Sequence, residues 1–346
     1  MTARRSGSNP PGAAARAPGK RAPVETQLAV LEATAADASS PEAHSRLREA
    51  LRTAPGLVAA RAAKIVREHA LEGFDDDLIA TFRRLLVDPV KNDPGCLGKL
   101  AALEALDFGS HDDETVFLEA TRTFQPEPAW GPPVDTASSV RARGVLALAR
   151  LAHPDLSLVA GGLLADPESP VRQAAAEALA ANGDRALAGA LALRWKLGDE
   201  DPLVTLACMT GLLALAPDHA LPRLRDALHG ADDGARELAA LALGPSTRPE
   251  ALDTLLAHLD IAPRASERAP TLRALGLQRN DRALSVLLKI VASGTVQDAE
   301  AAVAGLAARR FDSGVRERTH AAARENPAAE RLEAALASAF PEEPGR

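Results

Sequence analysis

The chain has 346 residues and a formal net charge of −7. Hydrophobic residues make up 46% of the sequence but aromatic residues only 3%, with no Tyr, so the apolar content is mostly Ala and Leu. Both are strong helix formers, whereas β-sheets are rich in branched and aromatic residues, so the composition predicts an all-α protein. A chain of this length forms either two domains or an array that grows by adding repeats.

The charge is unevenly distributed along the sequence. Residues 1–23 hold five basic and no acidic side chains, which leaves 35 basic against 47 acidic, a net of −12, in the rest of the chain. Nucleic-acid binding needs a positive surface and aromatic residues that stack on bases. The acidic body with few aromatics therefore argues against nucleic acid as a partner.

Cysteine usage and hydropathy indicate the compartment. Cys96 and Cys208 are far apart and belong to no Cys/His cluster, so neither a disulfide framework nor a structural zinc site is expected. No apolar segment resembles a signal peptide, and no run of eighteen apolar residues occurs. We expect a cytoplasmic protein that does not span a membrane.

The first predicted segment is a disordered basic tail over residues 1–23, which lacks apolar periodicity. It is either inert or makes a weak contact with an anionic partner. Residues 24–124 then predict degenerate N-terminal repeats. The predicted helices lie around Val24–Ala35, Pro41–Ala54, Gly56–Ala70 and Asp76–Val87, and near Asp113–Phe124.

The clearest repeat unit runs from Asp166 to Leu179, with the sequence DPESPVRQAAAEAL. Asp166 can cap a helix start, the prolines fit a turn or the first helical positions, and the apolar residues from Val171 onward recur at helical spacing. With Val171-Arg172 as anchor, the frame recurs at Val140-Arg141, Val204-Thr205, Ala235-Arg236, Glu267-Arg268 and Asp298-Ala299. Successive anchors are 31, 33, 31, 32 and 31 residues apart, enough for two helices and their turns.

This DPxxxVRxxAxxAL pattern resembles the short HEAT-like repeat of bacterial scaffold proteins and of the phycobilisome-lyase group. The resemblance covers residues 137–325 well and 24–124 loosely, and it implies a right-handed α-solenoid of stacked helical hairpins with repeats of about 32 residues. In HEAT repeats the motif arginine ties neighbouring repeats together. The residues to which this structural role is assigned are Arg141, Asp166, Arg172, Arg236 and Arg268, with ligand binding as the alternative.

The repeat frame slips once. Extended backwards, it places Gly98-Lys99 a full 42 residues before Val140, about ten more than the regular spacing. The surplus falls on the proline-rich segment 125–134, a predicted stiff, non-helical insertion loop that contains Gln125, Glu127 and Trp130. Trp130 either presents a binding surface at the tip of the loop or folds back over the repeats.

Two further positions are candidate binding residues. Asp135 directly follows the loop and is interpreted as a helix N-cap or an acceptor between repeats, with catalysis as the alternative. Trp195 and its neighbour Arg194 lie near the end of a second helix. They belong either to a basic and aromatic strip, with Arg223, Arg225, His229 and Lys289, or to a solvated helix face with a packed Trp.

No catalytic motif is present, and the segment His111–Glu114 is interpreted as a helix cap rather than a metal site. We expect neither an enzyme nor a bound cofactor or metal. The sequence predicts one solenoid over 24–340, with regular repeats at 135–325 and a capping helix at 327–340. Its function is predicted to be protein binding on the concave face or at the Trp130 loop. A lyase-like chaperone and a nucleic-acid-binding protein are the alternatives.

Overall fold

The computed structural model describes residues 22–341. Nearly all of the predicted basic tail, and all but the first residue of the segment from Pro341 onward, lie outside these residues. Contacts group the chain into two compact units, one that ends at His111 and one that begins at Asp112. Each unit is described by itself, and the single array over 24–340 stays a prediction.

The first unit is helical. Its helices are α1 (Val24–Ala35), α2 (Pro41–Thr53), α3 (Gly56–Glu68), α4 (Asp75–Leu85), the short α5 (Pro89–Asn92) and α6 (Leu97–Phe108). The bounds of the first four agree with the predicted helices to within two residues at each end, which confirms those predictions. Helix α5 and the 3₁₀ turn Pro94–Cys96 that follows it were not expected from the apolar periodicity.

A buried ion pair fixes the irregular connection before α6. Asp93 accepts hydrogen bonds from the backbone N–H groups of Gly98, at 2.8 Å, and Lys99, at 3.0 Å. The Lys99 ammonium lies 2.9 Å from the same carboxylate and donates to the Leu85 carbonyl at 3.3 Å. Both side chains are fully buried, so removing one partner would leave the other as an uncompensated charge.

The second unit contains fourteen α-helices, two short 3₁₀ helices (Arg185–Leu187 and Ala307–Arg309) and one β-hairpin among the described residues. The α-helices and strands are given in chain order. They are α7 (Glu114–Thr121), β1 (Pro126–Ala129), β2 (Gly131–Asp135), α8 (Ser138–Arg150), α9 (Leu156–Leu163), α10 (Ser169–Asn182), α11 (Ala188–Leu197), α12 (Pro202–Leu215), α13 (Pro217–His229), α14 (Asp233–Leu243), α15 (Pro249–Ile261), α16 (Ala265–Leu277), α17 (Asp281–Ser293), α18 (Val296–Leu306), α19 (Val315–Glu325) and α20 (Ala329–Ala339). From α8 to α19, a helix that carries a repeat anchor alternates with one that does not.

The helices that carry the repeat anchors, from α8 to α18, pack on one another in succession, and each also contacts the helix that follows it in the chain. The fold class is therefore all-α with stacked HEAT-like hairpins, as predicted. Small residues allow this packing, most tightly between α16 and α18, where a Cβ on Gly276 would overlap the carbonyl group of Gly305.

Several helix ends follow from local sequence. The side chains of Asp113, Asp201, Asp232, Asn280 and Thr295 cap the helices that begin immediately after them. The cap at Asp113 confirms the interpretation of the His111–Glu114 segment. Helix α10 ends at Asn182 and is followed by Gly183, whose φ of 80° lies in the left-handed region that glycine adopts without strain.

Two local predictions were wrong. The insertion is a β-hairpin and not a loop, because its residues pair across the turn at Ala129 and Gly131, and the preceding helix already ends at Thr121. Asp166 does not cap α10, since the N-cap position belongs to Glu168, which makes no side-chain cap. The Asp166 carboxylate instead accepts from the Arg141 guanidinium and from the backbone N–H of Glu168, which precedes the helix.

Candidate functional site

The site is built on the β-hairpin, hereafter the Trp130 hairpin (Pro126–Asp135). Its two strands are antiparallel, with Pro126 opposite Asp135 and Glu127 opposite Val134, and an irregularity lies between Glu127 and Ala129. Trp130 occupies the turn, and the φ of 130° at Gly131 favours glycine there. Four prolines restrict the backbone of the hairpin and lower the entropy that binding would cost.

The base of the hairpin is held by its own polar groups. Thr136 donates its backbone N–H to the Gln125 carbonyl at 3.0 Å. The Glu127 carboxylate accepts from the Gln125 amide and from the Thr136 hydroxyl, each at 2.7 Å. The Asp135 carboxylate accepts from the backbone N–H groups of Gln125, at 2.9 Å, and Ala137, at 3.0 Å.

Arg141 anchors this base to the next repeat. Its guanidinium donates to Asp135 at 2.6 Å and to the Thr123 carbonyl at 2.9 Å. It also makes two parallel bonds of 2.9 Å to the Asp166 carboxylate. The side chain of Arg141 is 0% exposed, and the Phe124 ring covers the guanidinium at 4.0 Å. Two carboxylates and an aromatic ring therefore compensate a fully buried cation.

The electrostatics of the anchor follow from these contacts. Burial alone would raise the pKa of Asp135. The two backbone N–H groups and the Arg141 guanidinium more than offset burial and hold that pKa below its ordinary value. In the same way, burial opposes the charge of Arg141, but its bonds to Asp166 and Asp135 raise its pKa. Both groups therefore stay ionised, and neither is poised to transfer a proton.

The tip of the hairpin is exposed and apolar, whereas its base is buried and polar. Trp130 is fully exposed, at 109% of the reference accessible area, and Val134 and the four prolines are also exposed. The two acids of the hairpin, Glu127 and Asp135, point their carboxylates into bonds at its base. The tip of the hairpin, around Trp130, consequently presents an apolar surface on an anchored base.

A chain of ion pairs, with one hydrogen bond to a backbone carbonyl, leads from the hairpin to Arg194 of the second pair of predicted binding residues. We call it the arginine–aspartate relay (Asp135, Arg141, Asp166, Arg172, Asp199 and Arg194). Arg172 donates to the backbone carbonyl of Asp166 at 2.8 Å and makes two bonds of 2.8 Å to the Asp199 carboxylate. Arg194 contacts the same carboxylate. The bond from Arg172, which outweighs the effect of burial, depresses the pKa of Asp199.

The predicted binding residues thus fall into different environments. Gln125, Glu127 and Asp135 are engaged at the hairpin base, and Arg194 belongs to the relay. Trp130 does not fold back over the repeats, whereas Trp195 is half-buried. Their role in binding stays a prediction. The other members of the suggested strip, Arg223, Arg225, His229 and Lys289, are all exposed.

The predicted structural residues are found at contacts between neighbouring repeats. Arg141, Arg172 and Arg268 each make a bidentate pair with an aspartate further along the chain, which for Arg268 is Asp298 at 2.8 and 3.0 Å. Arg236 differs, because it contacts the Leu228 carbonyl of the preceding hairpin, the Gly230 carbonyl of the connection and Asp233 on its own helix.

Sequence reasoning missed several members of the site. Thr136 and Phe124 flank the insertion but belong to no repeat motif, so nothing in the pattern singled them out. Asp199 could have been recognised from the sequence, because it lies 33 positions after Asp166 and occupies the same position in the next repeat. A comparison of the acids between repeats could have found it.

Within the described residues, no group of three or more His, Cys, Asp or Glu side chains is arranged to hold a metal ion. Both cysteines are free and buried, and burial raises the pKa of Cys208 to about 12. Its thiol is therefore protonated near neutral pH and a poor nucleophile. Among residues 22–341, no helix combines the length and apolar character needed to cross a membrane.

The fold and the site together define a helical-repeat protein of HEAT-like architecture with an anchored, apolar hairpin. No protein-family model matches the sequence. No curated protein matches it either.

Solved structures of similar fold have low identity. The complex of CpcE and CpcF of phycocyanin lyase from Nostoc sp. has 16% identity and a TM-score of 0.34, over 90% of this chain and 98% of that one. Human deoxyhypusine hydroxylase has 16% identity and a TM-score of 0.27, over 82% and 96%. Kap121p bound to Pho4p has 15% identity and a TM-score of 0.43, and the similarity covers 86% of this chain but 38% of Kap121p.

Proposed function

We propose that this chain is a non-catalytic interaction protein that binds a partner protein through the Trp130 hairpin. The observation that carries the proposal is the contrast between the tip and the base of the hairpin. A fully exposed Trp stands on a backbone that is fixed by a buried arginine and its carboxylates. A side chain held in place before binding loses little entropy when a partner covers it.

The chemistry of the tip defines the partner surface. Trp side chains bury 150–250 Å² and dominate many interfaces, where truncating one costs about 2 kcal/mol or more. The carboxylates of Glu127 and Asp135 are engaged at the base, so the tip around Trp130 carries no charged side chain. The matching partner surface is an uncharged apolar cleft that accepts the Trp130 ring.

This chemistry separates protein binding from the nucleic-acid alternative. Binding to nucleic acid releases counterions and weakens steeply as salt rises. An apolar Trp in an apolar cleft shows little salt dependence, because no charge pair forms at the contact. The affinity of the partner should therefore change little across a wide range of salt concentrations.

Site-specific photocrosslinking tests the proposal. A photoreactive phenylalanine analogue replaces Trp130 in the full chain within cells of the source organism. The matched control carries the same analogue at Phe311, which is 84% exposed in the same unit. We expect a discrete protein adduct from position 130 and not from position 311.

The captured protein is then purified and its binding is measured directly. Purified wild-type chain should compete for it, and Trp130→Ala should compete at least about thirtyfold less well. Equal adducts from both positions, equal competition by Trp130→Ala, or binding that collapses as salt rises would contradict the proposal. The concave face, the cytoplasmic location and the bacterial lyase-type resemblance stay predictions.

A further inference from the structure

Two cavities in the second unit occupy equivalent places in different repeats. The Arg172 cavity, of about 680 Å³, is lined by Arg172, Arg194 and the segment 197–200. The Arg236 cavity, of about 430 Å³, is lined by Arg236, His258 and the segment 261–264. Arg236, His258 and the segment 261–264 each lie 64 positions after Arg172, Arg194 and the segment 197–200. The side chains around Arg172 can therefore be compared directly with those around Arg236.

The two cavities differ in their acids. The segment 197–200 reads Leu-Gly-Asp-Glu, and Asp199 pairs with Arg172 and Arg194. The segment 261–264 reads Ile-Ala-Pro-Arg, so Pro263 stands where Asp199 stands and Arg264 where Glu200 stands. The Arg172 cavity is lined by two guanidinium groups and three carboxylates. The Arg236 cavity is lined by two guanidinium groups, two imidazoles and two carboxylates, one carboxylate fewer.

The hydrogen bonds of Arg236 leave donors for a ligand. Its Nε donates to the Leu228 carbonyl at 3.2 Å, one terminal nitrogen donates to the Gly230 carbonyl at 2.5 Å, and the other contacts Asp233. These contacts use three of the five N–H groups of the guanidinium, and one on each terminal nitrogen remains. Asp233 is almost fully exposed, so water screens its attraction for Arg236.

His258 lies in the wall of the cavity beside Arg236. The residue is 3% exposed, and its ring stacks on that of His229 with centroids 5.2 Å apart. Its Nε2 lies 3.3 Å from the Glu267 carbonyl, which can only accept, so Nε2 carries the hydrogen. Its Nδ1 has no hydrogen-bond partner. Burial, which outweighs the bond to Glu267, lowers the pKa of His258, so its ring is uncharged near neutral pH and the attraction for an anion comes from Arg236.

We propose that the Arg236 cavity binds a carboxylate group of a ligand, which takes beside Arg236 the place that Asp199 takes beside Arg172. The volume lies within the usual range of small-molecule sites. The carboxylate belongs either to a small polycarboxylic acid or to an acidic residue of a peptide. The proposal is independent of the Trp130 hairpin, since no residue of the hairpin lines this cavity.

The test uses the full chain with isotope-labelled histidine and arginine, observed by NMR. Succinate is the small probe, and acetyl-Ala-Glu-Ala-amide is the peptide probe. Succinamide and the corresponding Gln peptide are their uncharged controls, and phosphate tests for a general anion site. We expect saturable shifts of the His229 and His258 ring signals with a carboxylate probe and none with its uncharged control.

Two variants complete the test. Arg236→Gln should lower the affinity for the carboxylate probe about tenfold or more, because it removes a charge-assisted bond. Pro263→Asp should abolish binding by supplying an internal carboxylate, and it keeps the test decisive if Arg236→Gln does not fold. Tighter binding of the peptide than of succinate would identify a polypeptide ligand, and the reverse would identify a small acid.

The proposal would be overturned by any of three results. The first is the absence of a saturable shift with both carboxylate probes. The second is an equal response to phosphate or to the uncharged controls. The third is carboxylate binding that persists unchanged in Pro263→Asp.

Discussion

The connection that precedes α8 and the connection that precedes α12 are each clamped by a motif arginine bound to an aspartate, but they differ in what they display. Arg141 clamps the first through single bonds to Asp135 and to the Thr123 carbonyl, and its bidentate pair is with Asp166, which lies before α10. Arg172 clamps the second through a bidentate pair with Asp199. The connection before α12 is short, and its acids serve this clamp or cap the helix. The connection before α8 adds ten residues whose apolar tip has no role in the clamp.

This difference indicates that different residues serve folding and binding. The free energy of unfolding depends on the clamp, because its charged groups are buried and removing one leaves its partner as an uncompensated charge. The exposed tip contributes little to folding, since it covers no core residue. Substitutions can therefore damage one role without the other, and the predictions below go from the largest expected effect on unfolding to the smallest.

Arg141→Ala should lower the free energy of unfolding by about 3–5 kcal/mol, because it leaves Asp135 and Asp166 without their buried partner. Urea denaturation followed by circular dichroism measures the change. The control is Arg185→Ala, which removes an exposed pair with Asp218 and should have little effect. A loss for Arg141→Ala as small as that of the control would show that the clamp does not hold the hairpin.

Asp199→Ala should have a smaller effect, about 2 kcal/mol at neutral pH, since Arg172 keeps its bonds to Glu200 and to the carbonyl groups of Asp166 and Pro167. Arg172 depresses the pKa of Asp199 in the folded state. The contribution of Asp199 is therefore complete above the unfolded pKa of about 3.9 and disappears as pH falls through the lower folded pKa. Denaturation curves at several pH values should show the wild type and the variant converging in acid. A constant difference would contradict this account.

A further pH effect should come from His258. Burial lowers its pKa, so the folded state binds fewer protons than the unfolded state and stability rises with pH. The stabilisation is complete above the unfolded pKa of about 6.5 and is lost as pH falls through the folded pKa. His258→Gln should flatten the decline of the melting temperature between neutral pH and pH 5. If the melting temperature of His258→Gln fell by as much as that of the wild type, groups other than His258 would be responsible for the pH dependence.

Trp130→Ala should have the smallest effect on unfolding, within about 0.5 kcal/mol, because the ring is exposed and covers no core residue. The same change should remove most of the binding to the partner captured at position 130. Val134→Ala, also in the hairpin, is the matched variant and should reduce binding less. A clear loss of stability in Trp130→Ala would show that the tip serves the fold.

Much of the fold could be predicted from the sequence. The apolar spacing and the anchors gave the helical hairpins, because stacking requires small and apolar residues at fixed positions. The β-hairpin could not be predicted, since four prolines in ten residues suggest a loop. The bond that holds its base comes from Arg141, whose motif position marked it only as a link between repeats. The period of the repeat located this segment but did not reveal its conformation.

The chemistry of the site was harder to predict from the sequence than the fold. Gln125 and Glu127 lie in the insertion and were expected to bind, yet their side chains close the hairpin base. The Arg236 cavity was also missed. The sequence does change there, from Leu-Gly-Asp-Glu in segment 197–200 to Ile-Ala-Pro-Arg in segment 261–264. This change could be interpreted only once the structure showed that Arg172 and Arg194 both pair with Asp199.

The most direct test of the central claim is the fluorescence of Trp130 as the sole Trp, in the variant Trp195→Phe. A rigid, exposed indole should emit like free Trp, be fully accessible to acrylamide, and retain an anisotropy close to that of the whole protein. Addition of the partner should shift its emission to the blue and protect it from quenching. Blue-shifted, protected emission in the free protein would contradict the claim, because Trp130 would then be packed against its own chain.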